Sequence, residues 1–347
     1  MAKNRIVYFD WLRVIATIGV VMLHSAAPIL YEYKDLPQNQ WWVGHVFDTL
    51  TRWCVPIFFM MSGALLLNPD KREPLQTFFK KRAIKVFIPF AAWSIFYLAI
   101  QIKTGKLDPS PAAAAKAVLE DKVYYHLWFM YVIIGLYVIT PILKDFIGNT
   151  SRRNLELFII LWFVSTCVFS FVSKFYHIKI GMDAYPASGY IGYFIMGYYF
   201  FTYSFSRASK IFYYLVGLVG LVLTFAGTFF LTTENQGTFD GFFYHYLNVS
   251  TVFVSAAVFI LFKDISANLK SNAGVMKWMD PINKASLGIY LVHPFIFILL
   301  AKFLGLDAFT FHPLVGIPIM TAVTIAISFV VVKVMQSIPV IRKVVPR

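Results

Sequence analysis

The chain of 347 residues is 59% hydrophobic and only 14% charged. Its mean hydropathy is +0.67, which excludes an ordinary soluble domain and indicates a polytopic membrane protein. Its 31 Lys and Arg against 17 Asp and Glu give a net charge of +14, but the basic residues are spread among inter-helix loops, which fits the positive-inside rule better than nucleic-acid binding.

The first apolar segment, from Tyr8 to His24, is long enough to cross a bilayer yet carries Asp10, Arg13 and His24. Ionisable groups cost several kcal/mol in hydrocarbon, so those present usually face a bundle interior and serve a site. At about 100° per residue, Arg13 and His24 are three turns plus roughly 20° apart, with about 16 Å of rise between them. Asp10 and Thr17 share that side, so one face of this helix is a polar stripe. Lys3, Arg5 and the Ser25-Ala26-Ala27 stretch superficially resemble a secretory signal, but Asp10 and Arg13 interrupt the apolar run. The segment reads as a retained membrane helix.

Windows of about 20 apolar residues predict ten spans, at 7–31, 42–67, 86–103, 126–147, 155–175, 189–204, 211–231, 244–263, 284–303 and 313–335. Those at 86–103 and 189–204 are short. The expected fold is a single all-α bundle of about ten transmembrane helices, one domain over 1–347. Pro56, ahead of Ser62-Gly63, marks a break in the second span. Residues 70–86 form a basic amphipathic stretch at the interface. Within it Lys80, Lys81, Arg82 and Lys85 offer a phosphate site, although positive-inside signalling alone accounts for such a run. Residues 104–125 carry Asp-Pro-Ser-Pro and an Ala-rich piece, read as a short external helix after a turn. The loops at 176–188 and 232–243 are polar enough to line an entrance.

Orientation follows from the basic loops. Lys3, Arg5, Lys71, Arg72, Lys80, Lys81, Arg82, Lys85, Lys144, Arg152, Arg153, Arg207, Lys210, Lys263, Lys270, Lys277, Lys284, Lys333, Arg342, Lys343 and Arg347 all fall on one side. That side holds most of the positive charge, so both termini are expected in the cytoplasm.

His24, near the outer end of its helix, can take a proton from a hydroxyl or become acylated itself. Arg13 can clamp phosphate or carboxylate bidentately, with Asp10 orienting it or simply pairing with it. On the outer side, His126, Trp128 and Tyr131 open the fourth span and could form a sugar-binding entrance, although Trp and Tyr at that depth also serve as interfacial anchors. Tyr290 and His293 share one face of the ninth span, and His293-Pro294 within the membrane suggests a lined cavity. No P-loop, Gly-x-Ser-x-Gly elbow or metal-ligand spacing occurs, so no metal is expected.

Together these segments resemble the acyltransferase-3 family of integral-membrane acyltransferases, closest to its surface-polysaccharide O-acetyltransferase branch. The resemblance rests on Phe9-Asp10-Trp11-Leu12-Arg13 with His24, Pro56 through Gly63, the basic run into Pro89-Phe90, and His126-Leu127-Trp128-Phe129 through Thr140-Pro141. Gly192 through Tyr198 and Ser286 through Pro294 complete it. Where the family often has Arg-x-x-Arg, this chain has Arg82-Ala83-Ile84-Lys85, keeping the charge at 85 but losing the planar fork. The resemblance implies acyl-CoA, usually acetyl-CoA, as donor and a hydroxyl of a cell-surface glycan or lipid-linked sugar as acceptor. On that reading His24, Asp10 and Arg13 are catalytic. Arg13, Lys81, Arg82 and Lys85 bind the donor, and His126, Trp128, Tyr131, Tyr290 and His293 line the acceptor side. It also implies a bacterial cytoplasmic membrane, with monomer and homodimer both open. The competing classes are a transporter of a sugar-like or anionic solute and a membrane scaffold.

Overall fold

The computed structural model describes residues 6–71, 73–178, 180–181, 189–265 and 273–346. Lys3, Arg5, Arg72, Lys270 and Arg347 of the basic set, and most of the 176–188 loop, lie outside the described residues. In chain order the helices begin with α1 (Val7–Leu30), α2 (Gln38–Thr51), α3 (Cys54–Leu66), α4 (Leu75–Arg82), α5 (Ile88–Lys103), α6 (Pro111–Leu119) and α7 (Trp128–Gly148). They continue with α8 (Arg152–Phe163), α9 (Phe169–Tyr176), α10 (Ile191–Thr202), α11 (Arg207–Glu234), α12 (Val249–Ile265), α13 (Ala273–Leu304) and α14 (Pro313–Ser337). No strand occurs among the described residues.

Some of these helices run on into one another, and nine helical stretches among the described residues are long and apolar enough to cross a membrane. The protein is an all-α, multi-pass membrane protein. The sixth expected span, 189–204, is helical as α10 over 12 residues only, too short to cross alone at 1.5 Å per residue. It is instead an interior element, buried without interruption from Gly192 to Phe200. Glycines allow this. A Cβ at Gly63 of α3 would overlap the Phe194 carbonyl, and one at Gly197 of α10 would overlap the Met60 carbonyl. The two backbones therefore lie in direct contact, the close approach that small residues permit between membrane helices.

Two prolines shape the spans that frame the site. The second span breaks at Arg52–Trp53, between α2 and α3. Pro56 lacks the N–H that would bond the Arg52 carbonyl, and its ring crowds that oxygen. The third span, expected to start at 86, extends back to Leu75. A π-helical turn, Ala83–Phe87, joins α4 to α5 just ahead of Pro89, which cannot donate to Lys85. The wider turn lets the helix run through the proline. The basic run from Lys80 to Lys85 is thus continuous with the helical stretch Leu75–Lys103. The short helix expected in 104–125 is α6, with Pro111 in its first turn and Ser110 Oγ accepting from the Ala113 N–H at 3.1 Å, a serine N-cap.

α1 lies at the centre, packed against α2, α3, α12, α13 and α14. Its apolar window is 61% buried, against 17% for the Arg152–Tyr176 stretch at the periphery. Gly19 accommodates Cys54 and holds α1 against the start of α3. The polar stripe of α1 therefore faces protein, and Asp10 and Thr17 are buried.

Candidate active site

A cavity of about 960 Å³ runs alongside α1. One end is lined by Lys71, Glu73, Lys81, Arg82, Lys85 and Lys144, the middle by Arg13, Thr17, Ser62 and Tyr137, and the other end by His24, His126, Trp128, Tyr246 and Tyr290. Arg13 and His24 thus open onto one continuous space, as their shared helical face anticipates. The wall between them is mostly apolar, with Val20, Val21, Val55, Phe58 and Ile133.

At the basic end, the π-helical turn sets Arg82 and Lys85 into the wall. The Arg82 guanidinium sits over the Phe78 ring, 4.6 Å from its centroid, and 5.8 Å from that of Tyr137. Tyr137 hydrogen-bonds the Ser62 hydroxyl and lies within the electrostatic reach of both Arg82 and Arg13. The charge of Asp10 acts on Arg13, although Asp10 itself lies behind the wall. Thr17 donates its hydroxyl to the Arg13 carbonyl at 2.7 Å. Glu73 pairs with Lys81 and lies 3.8 Å from Arg82. The hydrogen bond from Lys81 and the positive charges of Lys81, Arg82 and Lys144 hold the Glu73 carboxyl below its ordinary pKa. The donor set here suits a polyanion, since the wall carries several guanidinium and ammonium groups against one carboxylate.

The far end is a histidine chamber. His24 stacks on His293 with ring centroids 5.2 Å apart and meets Tyr125 edge-on at 5.0 Å. His126 stands 5.6 Å from His293 and 5.2 Å from Tyr290, and the Tyr290 hydroxyl donates to the His126 carbonyl. Pro294 cannot donate to the Tyr290 carbonyl. One turn of α13 is loosened there, and His293 Nδ1 meets the Ile289 carbonyl at 3.3 Å. That contact makes Nδ1 the protonated nitrogen. Trp128 stacks on Tyr246 at 5.3 Å and lies 5.4 Å from Tyr190, giving an aromatic platform beside the histidines. No group of His, Cys, Asp and Glu arranged to hold a metal occurs among the described residues.

The structure gathers Arg13, Lys81, Arg82, Lys85, His24, His126, Trp128 and Tyr290 around one cavity. It puts His293 directly behind His24. Tyr131 stands apart: its hydroxyl donates to the Val118 carbonyl at 2.6 Å and its ring meets Phe90, fastening α7 to α5 and to the end of α6. Sequence reasoning passed over Lys71, Glu73, Lys144, Tyr137, Ser286 and Tyr246 as wall residues. It also missed Arg52, whose Nε donates to the buried Asp48 carboxylate while its guanidinium stacks on Tyr244 at 4.2 Å. The charge of Arg52 reaches both His24 and Tyr246. Asp48 and Arg52 are four apart, a pairing interval on a helix, and that spacing was the available signal.

The bundle thus encloses one cavity with a basic mouth, a mostly apolar wall and a histidine chamber. Residues 6–333 match the family described as the acyltransferase domain, acyltransferase-3, and the chain belongs to that family. It is a membrane acyltransferase. No curated protein and no solved structure matches the chain significantly.

Proposed function

We propose that the protein is an O-acetyltransferase of the bacterial cytoplasmic membrane, which moves an acetyl group from cytoplasmic acetyl-CoA to a hydroxyl of a cell-surface glycan or lipid-linked sugar. The observation that carries this reading is the single cavity of about 960 Å³ joining the basic mouth to His24. The donor's phosphates bind at Lys81, Arg82, Lys85 and Arg13. Its pantetheine arm follows the apolar wall over the roughly 16 Å of rise between Arg13 and His24. The thioester then stands at the histidine chamber, and the acceptor sugar rests on Trp128 and Tyr246.

In the transfer, neutral His24 takes the proton of the acceptor hydroxyl as its oxygen attacks the thioester carbonyl. The carbon–sulfur bond breaks, an ester forms, and the departing thiolate recovers the proton from His24. Asp10 acts through Arg13 and His293 acts through His24, so both are positioning residues.

The test uses purified protein in nanodiscs, wild type beside His24→Ala and Arg13→Ala, measuring acetyl-CoA binding and its slow hydrolysis to CoA. Binding retained in His24→Ala but strongly weakened in Arg13→Ala, with hydrolysis sharply reduced in both, is the expected pattern. Turnover left intact in His24→Ala would remove the base from this assignment. Mass spectrometry of acid-quenched wild type separates direct transfer from an acetyl-imidazole intermediate, which would carry the extra acetyl mass on the His24 peptide.

A further inference from the structure

We propose that Glu73 is a built-in competitor for the donor's phosphates, which sets the affinity of the basic mouth and its preference for polyanions over simple anions. The proposal rests on the donor reading above and concerns the one acidic residue on the wall of the cavity among the described residues.

Its carboxylate spans two cations. Oε2 accepts from Lys81 Nζ, and Oε1 lies 3.8 Å from Arg82 Nη2. Helical ion pairs form at three or four residues, whereas Glu73 stands eight residues before Lys81. The pair therefore exists only because the loop ahead of α4 folds back over the mouth. That loop is fastened on both sides of the carboxylate. Lys144 Nζ donates to the Lys71 carbonyl at 2.6 Å, tying it to the end of α7. Pro74 then fixes the backbone after Glu73, and its carbonyl accepts from the Phe78 N–H at 2.9 Å. Glu73 is thus held in place, with its side chain 24% exposed and that of Arg82 19% exposed.

A carboxylate bridging an ammonium and a guanidinium occupies the position that a phosphate would take on the same pair. A monoanion arriving there brings no more charge than Glu73 supplies, and it also loses its translational freedom. A polyphosphate brings more charge and engages Lys85, Lys144 and Arg13 as well, so it can displace the carboxylate. The device raises the threshold for all anions and leaves polyanions above it.

The experiment compares wild type, Glu73→Gln and Glu73→Ala in nanodiscs of neutral lipid, with CoA and inorganic phosphate as probes. Binding is read by calorimetry at low salt and at about 0.3 M salt. CoA is expected to bind both variants about two- to fivefold more tightly than wild type at low salt, the scale of partly exposed ion pairs. The gain shrinks at high salt, and inorganic phosphate gains by a larger factor than CoA, so the ratio of the two affinities falls. Equal or weaker CoA binding by both variants, each still folded at the titration temperature, would overturn the proposal and make Glu73 a scaffold for Lys81. CoA binding by none of the three proteins would overturn the donor reading itself, and this proposal with it.

Discussion

His24 and His293 stack nearly in parallel, ring centroids 5.2 Å apart and planes inclined by 22°, although they come from the first and the penultimate long helices of the chain. His293 is fully buried and anchored through Nδ1 to the Ile289 carbonyl. Its ring face therefore fixes where the His24 ring can lie. The proline at 294 makes this possible by loosening the helix one turn below.

The two histidines should therefore separate in mutagenesis. Removal of a general base typically costs about 10²–10⁴-fold in rate, and His24→Ala is expected in that range with donor affinity kept. His293→Ala, which only frees the ring of His24, is expected to cost about tenfold in kcat, as misplacement of a reacting group does. The check is acetyl-CoA hydrolysis under saturating donor, with His293→Phe restoring part of the loss by replacing the stacking surface.

Tyr137 shares the middle of the cavity wall with Arg13 and lies beside Arg82. Arg13→Ala is expected to weaken CoA binding by about 10²-fold, since a charge-assisted contact to phosphate is worth roughly 1.5–3 kcal/mol. Arg13→Lys should recover only part of this, because the ammonium cannot fork. Tyr137→Phe removes the hydroxyl shared with Ser62 and is expected to weaken binding about threefold. Calorimetric titration with CoA reads all three.

Much of the architecture is legible in the sequence for a plain reason: a membrane span is a local property, an apolar length. The stripe on α1 was legible too, because 3.6-residue periodicity alone aligns Arg13 with His24. Contacts between distant segments were not. Nothing near Tyr131 says that its hydroxyl ties down Val118 rather than lining an entrance, and nothing near Glu73 says that a loop returns it to Lys81. The π-helical turn was hidden because the apolar window begins only at Val86, whereas the widened backbone carries the helix back through the basic run to Leu75. The shortness of α10 was visible, and its interior position depended on Gly197 and Gly63 meeting across the bundle.

Those two glycines make a stability prediction. Gly63→Val places a branched side chain against the Phe194 carbonyl, where a single Cβ already overlaps backbone. Overpacking costs typically 1–3 kcal/mol where side chains can yield, and backbone yields less. Loss of more than about 3 kcal/mol is expected, read as a lower thermal midpoint in detergent. Gly135→Ala, which meets nothing within 4 Å, is the neutral control.

The Asp48–Arg52 pair predicts a different pattern. The Asp48 side chain is fully buried and that of Arg52 15% exposed, and removing one partner of a buried pair leaves the other uncompensated. Arg52→Ala is therefore expected to destabilise by about 3–5 kcal/mol. The double variant Asp48→Asn, Arg52→Gln removes both charges together and should cost less than Arg52→Ala alone. Thermal melts of the wild type, the single variant and the double variant decide this.

Glu73 gives the acid behaviour of the mouth. Chiefly through the hydrogen bond from Lys81, its carboxyl is held below the ordinary range, which for glutamate is about 4.3. A depressed folded value means that the unfolded chain binds the proton first as pH falls. The contribution of the pair is thus complete above about pH 4.3 and is lost as pH drops through the lowered folded value. The difference in thermal midpoint between wild type and Glu73→Gln should stay flat through neutral pH and close in that acid window. CoA affinity should converge in the same window, because protonated Glu73 no longer competes for Lys81 and Arg82. A midpoint difference that stayed constant through the acid range would mean that the Glu73 charge does not engage Lys81 in solution.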